Sequence, residues 1–260
     1  MTQDIKDGYV KTETHNYVTT IEFYHPKGNS LPGKILEELA KEIHFAGTHS
    51  ETRVIILQSA GDKTFCSGAS FDELINIKTL EEGIKFFSGF AHIIDAVRKC
   101  PKFVIGRIQG RSVGGGIGLI AAVDYAIAVE KAEIKLSELS FGFGPFVIGP
   151  AVERKIGVSA FSALSIDANL WRTSEWAKRR GLFSEVHANI ENMDESIRRL
   201  ANNLSHSNPE AMAEMKKMFW KGTENWDVLM KERAAISGKL ILSSYAKNAI
   251  EKLLSARTKV

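Results

Sequence analysis

Alternating and helical patterns of hydrophobic residues divide the first part of the chain into elements. Alternation runs through Tyr9 to Thr14 and Tyr17 to Phe23, and two such segments joined by a short turn predict a β-hairpin. Apolar residues then recur at helical spacing in Leu31 to Phe45, with Ser30 as the expected N-cap. The sequence therefore predicts a hairpin followed by a helix.

Short apolar runs separated by helical stretches continue the pattern. The runs are Val54 to Leu57, Val104 to Ile108 and Ala126 to Val129, and the helical stretches are Gly83 to Arg98 and Gly116 to Ala122. Apolar strands joined by helices are typical of a mostly parallel sheet that is covered on both faces. Ligands of such sheets usually bind at the carboxyl ends of the strands, so we expect the functional site there.

Beyond about residue 150 the strand pattern fades and helical spacing dominates. The predicted helices in this part are Ser174 to Arg180, Met193 to Leu204, Pro209 to Trp220, Trp226 to Leu242 and Tyr245 to Leu254. The expected fold class is therefore α/β, with a mixed sheet followed by helices.

Composition narrows the class of protein. The 260 residues are 44% hydrophobic and 25% charged with a formal net charge of +3, which is typical of an ordinary globular protein. No apolar run approaches the roughly 20 residues that span a bilayer, and no basic stripe indicates nucleic-acid binding. Cys66 and Cys100 lack the spacing of a zinc site or a disulfide framework. The polar segment Met1 to Tyr9 has no signal-peptide pattern, so the expected compartment is the cytoplasm.

A glycine-rich turn carries the strongest chemical signal. Gly114, Gly115 and Gly116 lack the side chains that would keep a ligand away from the backbone N–H groups. The helix predicted to follow leaves its first N–H groups unpaired and slightly positive, which suits a phosphate, a carboxylate or an oxyanion. The spacing matches neither the dinucleotide-binding pattern nor the phosphate-binding loop of nucleotide hydrolases.

The same turn also matches the G-x-S-x-G motif of serine hydrolases, since Ser112 stands between Gly110 and Gly114. That fold needs an acid and a histidine later in the chain, and neither His187 nor His206 lies in a segment typical of a catalytic loop. A serine hydrolase that uses Ser112 is therefore kept as an alternative. The simpler interpretation is a small residue that lets the strand and the helix pack closely.

Two segments resemble the signature sequences of the crotonase, or enoyl-CoA hydratase/isomerase, superfamily. Thr64 to Phe71 is similar to the first signature, and Gly110 to Gly116 followed by Asp124 is similar to the second. Pro26 to Leu31 resembles a further short segment of the superfamily. The two signatures lie about 45 residues apart, and their occurrence together is specific for the fold of the superfamily. The resemblance extends over essentially the whole chain.

The resemblance implies a fold, an assembly and a class of substrate. The expected fold is a crotonase-like ββα spiral core over residues 1–195, followed over residues 196–260 by a helical region that forms trimers or dimers of trimers. Members of the superfamily bind acyl-CoA thioesters, so coenzyme A is expected only as part of the substrate, without a metal or another cofactor. The two backbone N–H groups that polarise the thioester carbonyl fall by motif position on Ala69 and Gly115.

The positions of the superfamily's acid and base differ in this chain. Hydratases carry two glutamates, which fall by motif position on Gly118, which has no side chain, and on Glu138. Burial among apolar neighbours would raise the pKa of Glu138 towards the range useful for a general acid or base. The sequence therefore favours an enoyl-CoA hydratase/isomerase with Glu138 as its base. A Δ3,Δ2-enoyl-CoA isomerase without hydratase activity is the alternative within this resemblance. A non-catalytic CoA-binding or assembly protein is a further alternative.

Further residues are expected around the substrate. Asp72 or Glu73 is a candidate to replace the missing carboxylate, because both follow the first signature. The segment Gly142 to Pro150 departs from the superfamily's pattern and carries aromatic residues, which indicates a reshaped acyl pocket. The residues expected to bind substrate are Lys27, Ser67, Gly68, Ser70, Phe71, Asp72, Gly114 and Phe146.

Overall fold

The computed structural model describes residues 7–257, with side chains up to residue 255. The strands are β1 (Tyr9–His15), β2 (Val18–Tyr24), β3 (Val54–Ser59), β4 (Thr64–Cys66), β5 (Phe103–Ile108), β6 (Arg111–Val113), β7 (Tyr125–Val129), β8 (Ile134–Lys135) and β9 (Glu185–His187). The helices are α1 (Gly33–Thr48), α2 (Phe71–Asn76), α3 (Leu80–Lys99), α4 (Gly115–Ala122), α5 (Gly149–Ile166), α6 (Ser174–Arg179), α7 (Ile190–Ser205), α8 (Pro209–Phe219), α9 (Trp226–Leu240) and α10 (Ser244–Arg257). A 3₁₀ helix spans Glu138–Phe141.

The strands form two sheets. The larger has the order β1-β2-β3-β5-β7-β9, and the smaller has the order β4-β6-β8. β1 and β2 pair antiparallel, and every other pair of the described strands is parallel. The hairpin register runs from Tyr9 opposite Tyr24 to His15 opposite Val18. The predicted hairpin and the α/β class with a mostly parallel sheet are therefore confirmed.

Helices cover the larger sheet and explain why its central strands are apolar. α1 packs on β1 and β2, and α7 packs across β3, β5 and β7. Val54, Ile105 and Ile127 in these central strands have no exposed surface. Such burial excludes water from the backbone hydrogen bonds of the sheet and makes it a firm support for the loops at its edge.

Some strands lie where the sequence pattern does not predict them. β9 stands in the part of the chain for which only helices are expected, so that expectation is wrong. It has three residues, too few to show a period, and it joins the edge of the sheet beside β7. The smaller sheet is likewise built from strands of two or three residues.

The N-terminus of α1 is stabilised in a different way from the predicted one. The N-cap is Pro32 and makes no side-chain hydrogen bond, so the expectation of a Ser30 cap is wrong. The Ser30 hydroxyl instead makes a 2.7 Å hydrogen bond with Nδ1 of His25. The N–H of Gly33 donates to the Glu73 carboxylate at 2.8 Å, so a distant acidic residue occupies the positive end of the helix.

The predicted division between residues 195 and 196 falls inside α7. The division stays a prediction, and the helices on its C-terminal side make close contacts with earlier ones. Within residues 7–257, no helix has both the length and the apolar character that crossing a membrane requires. Cys66 and Cys100 are both buried free thiols.

Helices α3 and α9 approach each other through two glycines. A β-carbon placed on Gly83 would lie 2.7 Å from Cα and 2.9 Å from the carbonyl oxygen of Gly238. Backbone atoms cannot move aside as a flexible side chain can, so this contact requires glycine on both helices. It fixes a C-terminal helix against α3, whose residues Phe87 and Phe90 are buried beside the cleft described below.

We predict that Gly83→Ala destabilises the folded chain by about 1–3 kcal/mol, because the added methyl group forces α3 and α9 apart. Lys85→Ala, on the exposed side of the same helix, should change stability by less than about 0.5 kcal/mol. The measurement is the midpoint of urea unfolding for the three proteins. Equal midpoints for Gly83→Ala and the unaltered chain would contradict the prediction.

Candidate active site

The loop after β4 and the turn into α4 lie against each other. Gly68 has φ +85°, and a β-carbon there would lie 2.8 Å from the Val113 carbonyl oxygen and 3.4 Å from the Gly115 nitrogen. Any larger residue at this position would push the two backbone segments apart. The close approach brings the backbone of Ala69 and Gly115 to the same place.

A bridge to Leu31 orients the N–H group of Ala69. Leu31 donates to the Gly68 carbonyl at 2.8 Å, and Ser70 donates to the Leu31 carbonyl at 3.3 Å. Leu31 and Ala69 form a parallel bridge, in which Leu31 bonds to the residues on either side of Ala69. The N–H of Ala69 itself therefore points away from Leu31. Within residues 7–257, the N–H of Ala69 donates no hydrogen bond.

Gly115 is the first residue of α4, and its N–H also has no acceptor within the described chain. The preceding residue Gly114 has φ +54°, which turns the chain sharply out of β6. A β-carbon on Gly115 would lie 2.8 Å from Cζ of Phe90, and one on Gly116 would lie 2.7 Å from Cβ of Cys66. Close packing on both sides thus holds a positively polarised helix N-terminus in place.

Ala69 and Gly115 both line one cleft, which contains about 520 Å³ of space between atoms, its open mouth included. Six phenylalanines line this cleft, together with Leu74, Pro145, Val147 and Ile148. The six are Phe71, Phe87, Phe90, Phe141, Phe143 and Phe146. The cleft is therefore apolar apart from a few convergent polar groups, as is usual for sites that bind small molecules.

Glu138 places a carboxylate in the cleft. It begins the 3₁₀ helix, and its Oε1 would lie 3.0 Å from a β-carbon on Gly114, the residue next to Gly115. Its Oε2 is buried and makes no hydrogen bond within the described chain. Burial raises the pKa of Glu138 to about 7, against a smaller opposing effect of its own backbone and that of Ser137. A carboxyl group with this pKa can both accept and return a proton near neutral pH.

An isoleucine fills the space beside Gly118. A β-carbon on Gly118 would lie 2.7 Å from Cβ of Ile148, so a glutamate would not fit there without moving that residue. Ile148 is buried and belongs to the lining of the cleft. The resemblance implies that hydratases have a second glutamate at the position of Gly118. In this chain, the apolar side chain of Ile148 occupies the space beside that position.

The structure brings together most of the residues expected at the site. Ala69, Gly115 and Glu138 line the cleft, as do five of the expected substrate-binding residues, Ser67, Gly68, Phe71, Gly114 and Phe146. The other three lie outside the lining. Lys27 and Asp72 form an exposed ion pair, and Ser70 is buried as the N-cap of α2.

No other acidic side chain replaces the missing carboxylate in the cleft lining. Asp72 is paired with Lys27, and Glu73 accepts the N–H of Gly33. Within residues 7–257, no group of three or more His, Cys, Asp or Glu side chains is arranged to hold a metal ion. Glu138 is thus the acid or base that the described lining supplies.

Ser112 does not have the surroundings of a catalytic serine. It is fully buried in β6, and its hydroxyl makes no hydrogen bond within the described chain. His187 instead pairs with Glu185, and His206 bonds to Asn202. The serine-hydrolase alternative therefore lacks a base next to its nucleophile.

Sequence reasoning missed part of the cleft wall. Phe87 and Phe90 come from α3, and Ser237 comes from α9. The helical pattern of α3 predicts buried phenylalanines, but a buried core position and a pocket wall have the same periodicity. Only the packing of α3 beside the turn into α4 distinguishes the two.

The chain is similar in sequence to known proteins. Residues 13–252 match the family model described as enoyl-CoA hydratase/isomerase. A Bacillus subtilis protein named "Probable enoyl-CoA hydratase" is 26% identical over 243 residues, which cover 93% of each chain. A peroxisomal Δ(3,5)-Δ(2,4)-dienoyl-CoA isomerase of Arabidopsis thaliana is 26% identical over 211 residues, 75% of this chain and 74% of that protein.

A solved structure has the same fold as this chain. The enoyl-CoA hydratase from Bacillus halodurans superposes with a TM-score of 0.87 at 24% identity, covering 94% of this chain and 99% of that one. The fold is thus the crotonase fold expected from the two signatures. The chain belongs to the enoyl-CoA hydratase/isomerase family.

The raised pKa of Glu138 predicts a loss of stability with rising pH. Between the ordinary value of 4.5 and about 7, the folded chain keeps a proton that the unfolded chain releases. The free energy of unfolding should therefore fall through this window by about 3 kcal/mol more than in Glu138→Gln, which has no proton to lose. Urea unfolding of both proteins from about pH 4 to about pH 8 measures the difference. Parallel curves would show that the carboxyl group is not desolvated.

Proposed function

We propose that the protein is an enzyme that acts on acyl-CoA thioesters. In this proposal the N–H groups of Ala69 and Gly115 bind the thioester oxygen, and Glu138 transfers a proton at carbon. The observation that carries the proposal is the meeting of two unpaired N–H groups and one unpaired carboxylate oxygen in a single apolar cleft. Buried polar groups without a partner in the described chain are suited to bind a substrate.

The two N–H groups would stabilise the charge that develops on the thioester oxygen. When a proton leaves the carbon next to the carbonyl, the electron pair moves onto that oxygen and forms an enolate. Fixed N–H donors in an apolar cleft stabilise an enolate more than the neutral carbonyl, because they need no reorientation as the charge appears. The helix end at Gly115 adds its positive polarity to the same point.

Glu138 would move the proton between two carbons. Its carboxylate takes a proton from C2 of a Δ3-enoyl thioester, the C2–H electron pair delocalises onto the carbonyl oxygen, and a dienolate forms. The protonated Glu138 then returns the proton to C4, which shifts the double bond from C3=C4 to C2=C3. No atom is gained or lost, and the carboxylate is regenerated. A pKa of about 7 suits both halves of this cycle.

The pairing of Gly118 with Ile148 favours isomerisation over hydration. Water addition requires a polar group to hold and activate the water molecule, and Ile148 occupies the space beside Gly118 with apolar atoms. A water molecule needs at least two polar partners to be held in such a place. Hydration, with Glu138 alone handling the water, is the second candidate, since the Bacillus subtilis relative is named as a probable enoyl-CoA hydratase.

The remaining expected residues would bind the rest of the thioester. Phe71 and Phe146 would contact the acyl group, and Gly68 and Gly114 leave room for the thioester beside the N–H groups. The Ser67 hydroxyl donates to the Lys27 carbonyl at 3.1 Å, which puts Lys27 next to the cleft lining. The exposed Lys27 ammonium would therefore face the phosphates of coenzyme A.

We predict that Glu138→Gln lowers the turnover of Δ3-enoyl-CoA thioesters by at least about 100-fold, because the amide cannot accept a proton from carbon. Binding of the thioester should change little, since the amide has nearly the shape of the carboxyl group. The measurement is incorporation of deuterium at C2 and C4 in D₂O, read by mass spectrometry with the product mass. A mass increase of one water would identify hydration.

Ser112→Ala is the matched control, because it removes the hydroxyl of the alternative nucleophile without touching the cleft lining. It should keep at least about half of the activity. Full activity in Glu138→Gln would remove Glu138 from the mechanism. Loss of activity in Ser112→Ala, together with labelling of Ser112 by a serine-directed reagent, would favour the hydrolase.

We also propose that the chain assembles as a trimer or a dimer of trimers. Large apolar side chains remain exposed on α5, α8 and α9, including Val158 (66%), Met218 (63%) and Val228 (63%). Assembly would bury such side chains, as protein–protein contacts bury contiguous apolar patches. Sedimentation equilibrium should give three or six times the mass of one chain, and Val228→Asp should lower that mass. A monomer at micromolar concentration would contradict the proposal.

A further inference from the structure

Helix α10 lies across both walls of the cleft. It packs on α2, which follows Ala69, and on the 3₁₀ helix that begins with Glu138. At the end of the 3₁₀ helix, a β-carbon on Gly142 would lie 3.1 Å from Cε1 of Tyr245 and 3.3 Å from the Ala246 nitrogen. One helix near the C-terminus therefore touches the element that carries the base and the element next to the oxyanion donor.

Lys247 connects α10 to the C-terminal end of α2. Its Nζ donates to the carbonyl oxygens of Ile77 at 2.6 Å, Ile75 at 2.9 Å and Leu74 at 3.3 Å. These carbonyls lie at the C-terminal end of α2, which is slightly negative, so a cation is stabilised there. An ammonium group has three N–H donors, and here each has a carbonyl acceptor.

The position of α2 determines the shape of the cleft. α2 starts two residues after Ala69, and its residues Phe71 and Leu74 belong to the cleft wall. The Phe71 ring packs on the Phe141 ring at 4.8 Å between centroids, and Phe141 closes the 3₁₀ helix that starts with Glu138. A shift of α2 would therefore change the separation between the N–H of Ala69 and the Glu138 carboxylate.

We propose that Lys247 is a positioning residue that holds α2 against the wall carrying Glu138 and so sets the geometry between the oxyanion donor and the base. Lys247 does not line the cleft and acts through α2. The expected effect on turnover rests on the proposed function. The expected effect on the position of α2 rests on the three carbonyl contacts of Lys247. Displacements of about 1 Å at a site can change rates by about 100-fold, so the effect on turnover should be large.

The test compares Lys247→Met, which keeps the apolar stem and removes the ammonium, with Lys231→Met on an exposed part of α9. Lys247→Met should lower kcat by about 10- to 100-fold and change KM by less than about threefold. Hydrogen exchange of the segment 70–78, measured by mass spectrometry on the full chain, should become faster. Lys247→Arg, which keeps the charge but not the three-donor geometry, should recover part of kcat. Lys231→Met should leave both readouts unchanged.

The outcomes separate this inference from the proposed function. If Lys247→Met turns over substrate at the unaltered rate, or leaves the exchange of segment 70–78 unchanged, the inference is wrong. A loss of thermal stability with unaltered kcat would likewise reduce Lys247 to a structural residue. If the unaltered chain and Glu138→Gln are equally inactive, the proposed function fails, while hydrogen exchange still reports on the contacts between Lys247 and α2. If Lys247→Met does not fold, the second test is Lys247→Gln, whose shorter neutral side chain cannot reach all three carbonyls. Unaltered kcat and exchange in that variant would overturn the inference.

Discussion

The site depends on one steric constraint, the contact between two backbone segments that leaves no room for a β-carbon. The loop after β4 meets the turn into α4 at Gly68, and Phe90 and Cys66 press on Gly115 and Gly116 from either side. Because both segments are fixed by their own sheets and helices, the contact holds their N–H groups at a constant separation. A site built from main-chain donors on rigid elements has little freedom to relax away from its substrate.

The same packing makes the cleft apolar, and the apolar walls change the chemistry of the one acid in the lining. Phenylalanines from α2, α3 and the segment around Phe146 exclude water from Glu138, and burial raises its pKa to about 7. In water, the same carboxyl group would be a weak base with a pKa of 4.5. Desolvation thus lowers the stability of the folded chain at neutral pH, and it also gives Glu138 a pKa that suits the proposed proton transfer.

Hydrophobic periodicity predicts the helices and strands that are long enough to show it. The two signature segments predict the candidate site residues. The hairpin, α1, α3 and the C-terminal helices follow from periodicity, and Ala69, Gly115 and Glu138 were placed by motif position. β9 escaped prediction because three residues show no period. At the start of α1, the Gly33 N–H donates to Glu73, and the cleft wall includes Phe90 and Ser237. These contacts join residues far apart in the chain, so no local pattern encodes them.

A second carboxylate beside Glu138 would alter the site in two ways. Two negative groups in one apolar cleft would repel each other and raise the pKa of at least one further, so that both could not stay ionised. With Gly118 and Ile148 in that place, Glu138 remains the single titrating group in the lining, and its proton has no competing acceptor there. In the proposed mechanism, such a site would shuttle one proton and would hold water poorly, so the apolar contact between Ile148 and Gly118 would favour isomerisation. If the proposed function holds, an uncharged side chain, that of Ile148, selects between the two candidate reactions.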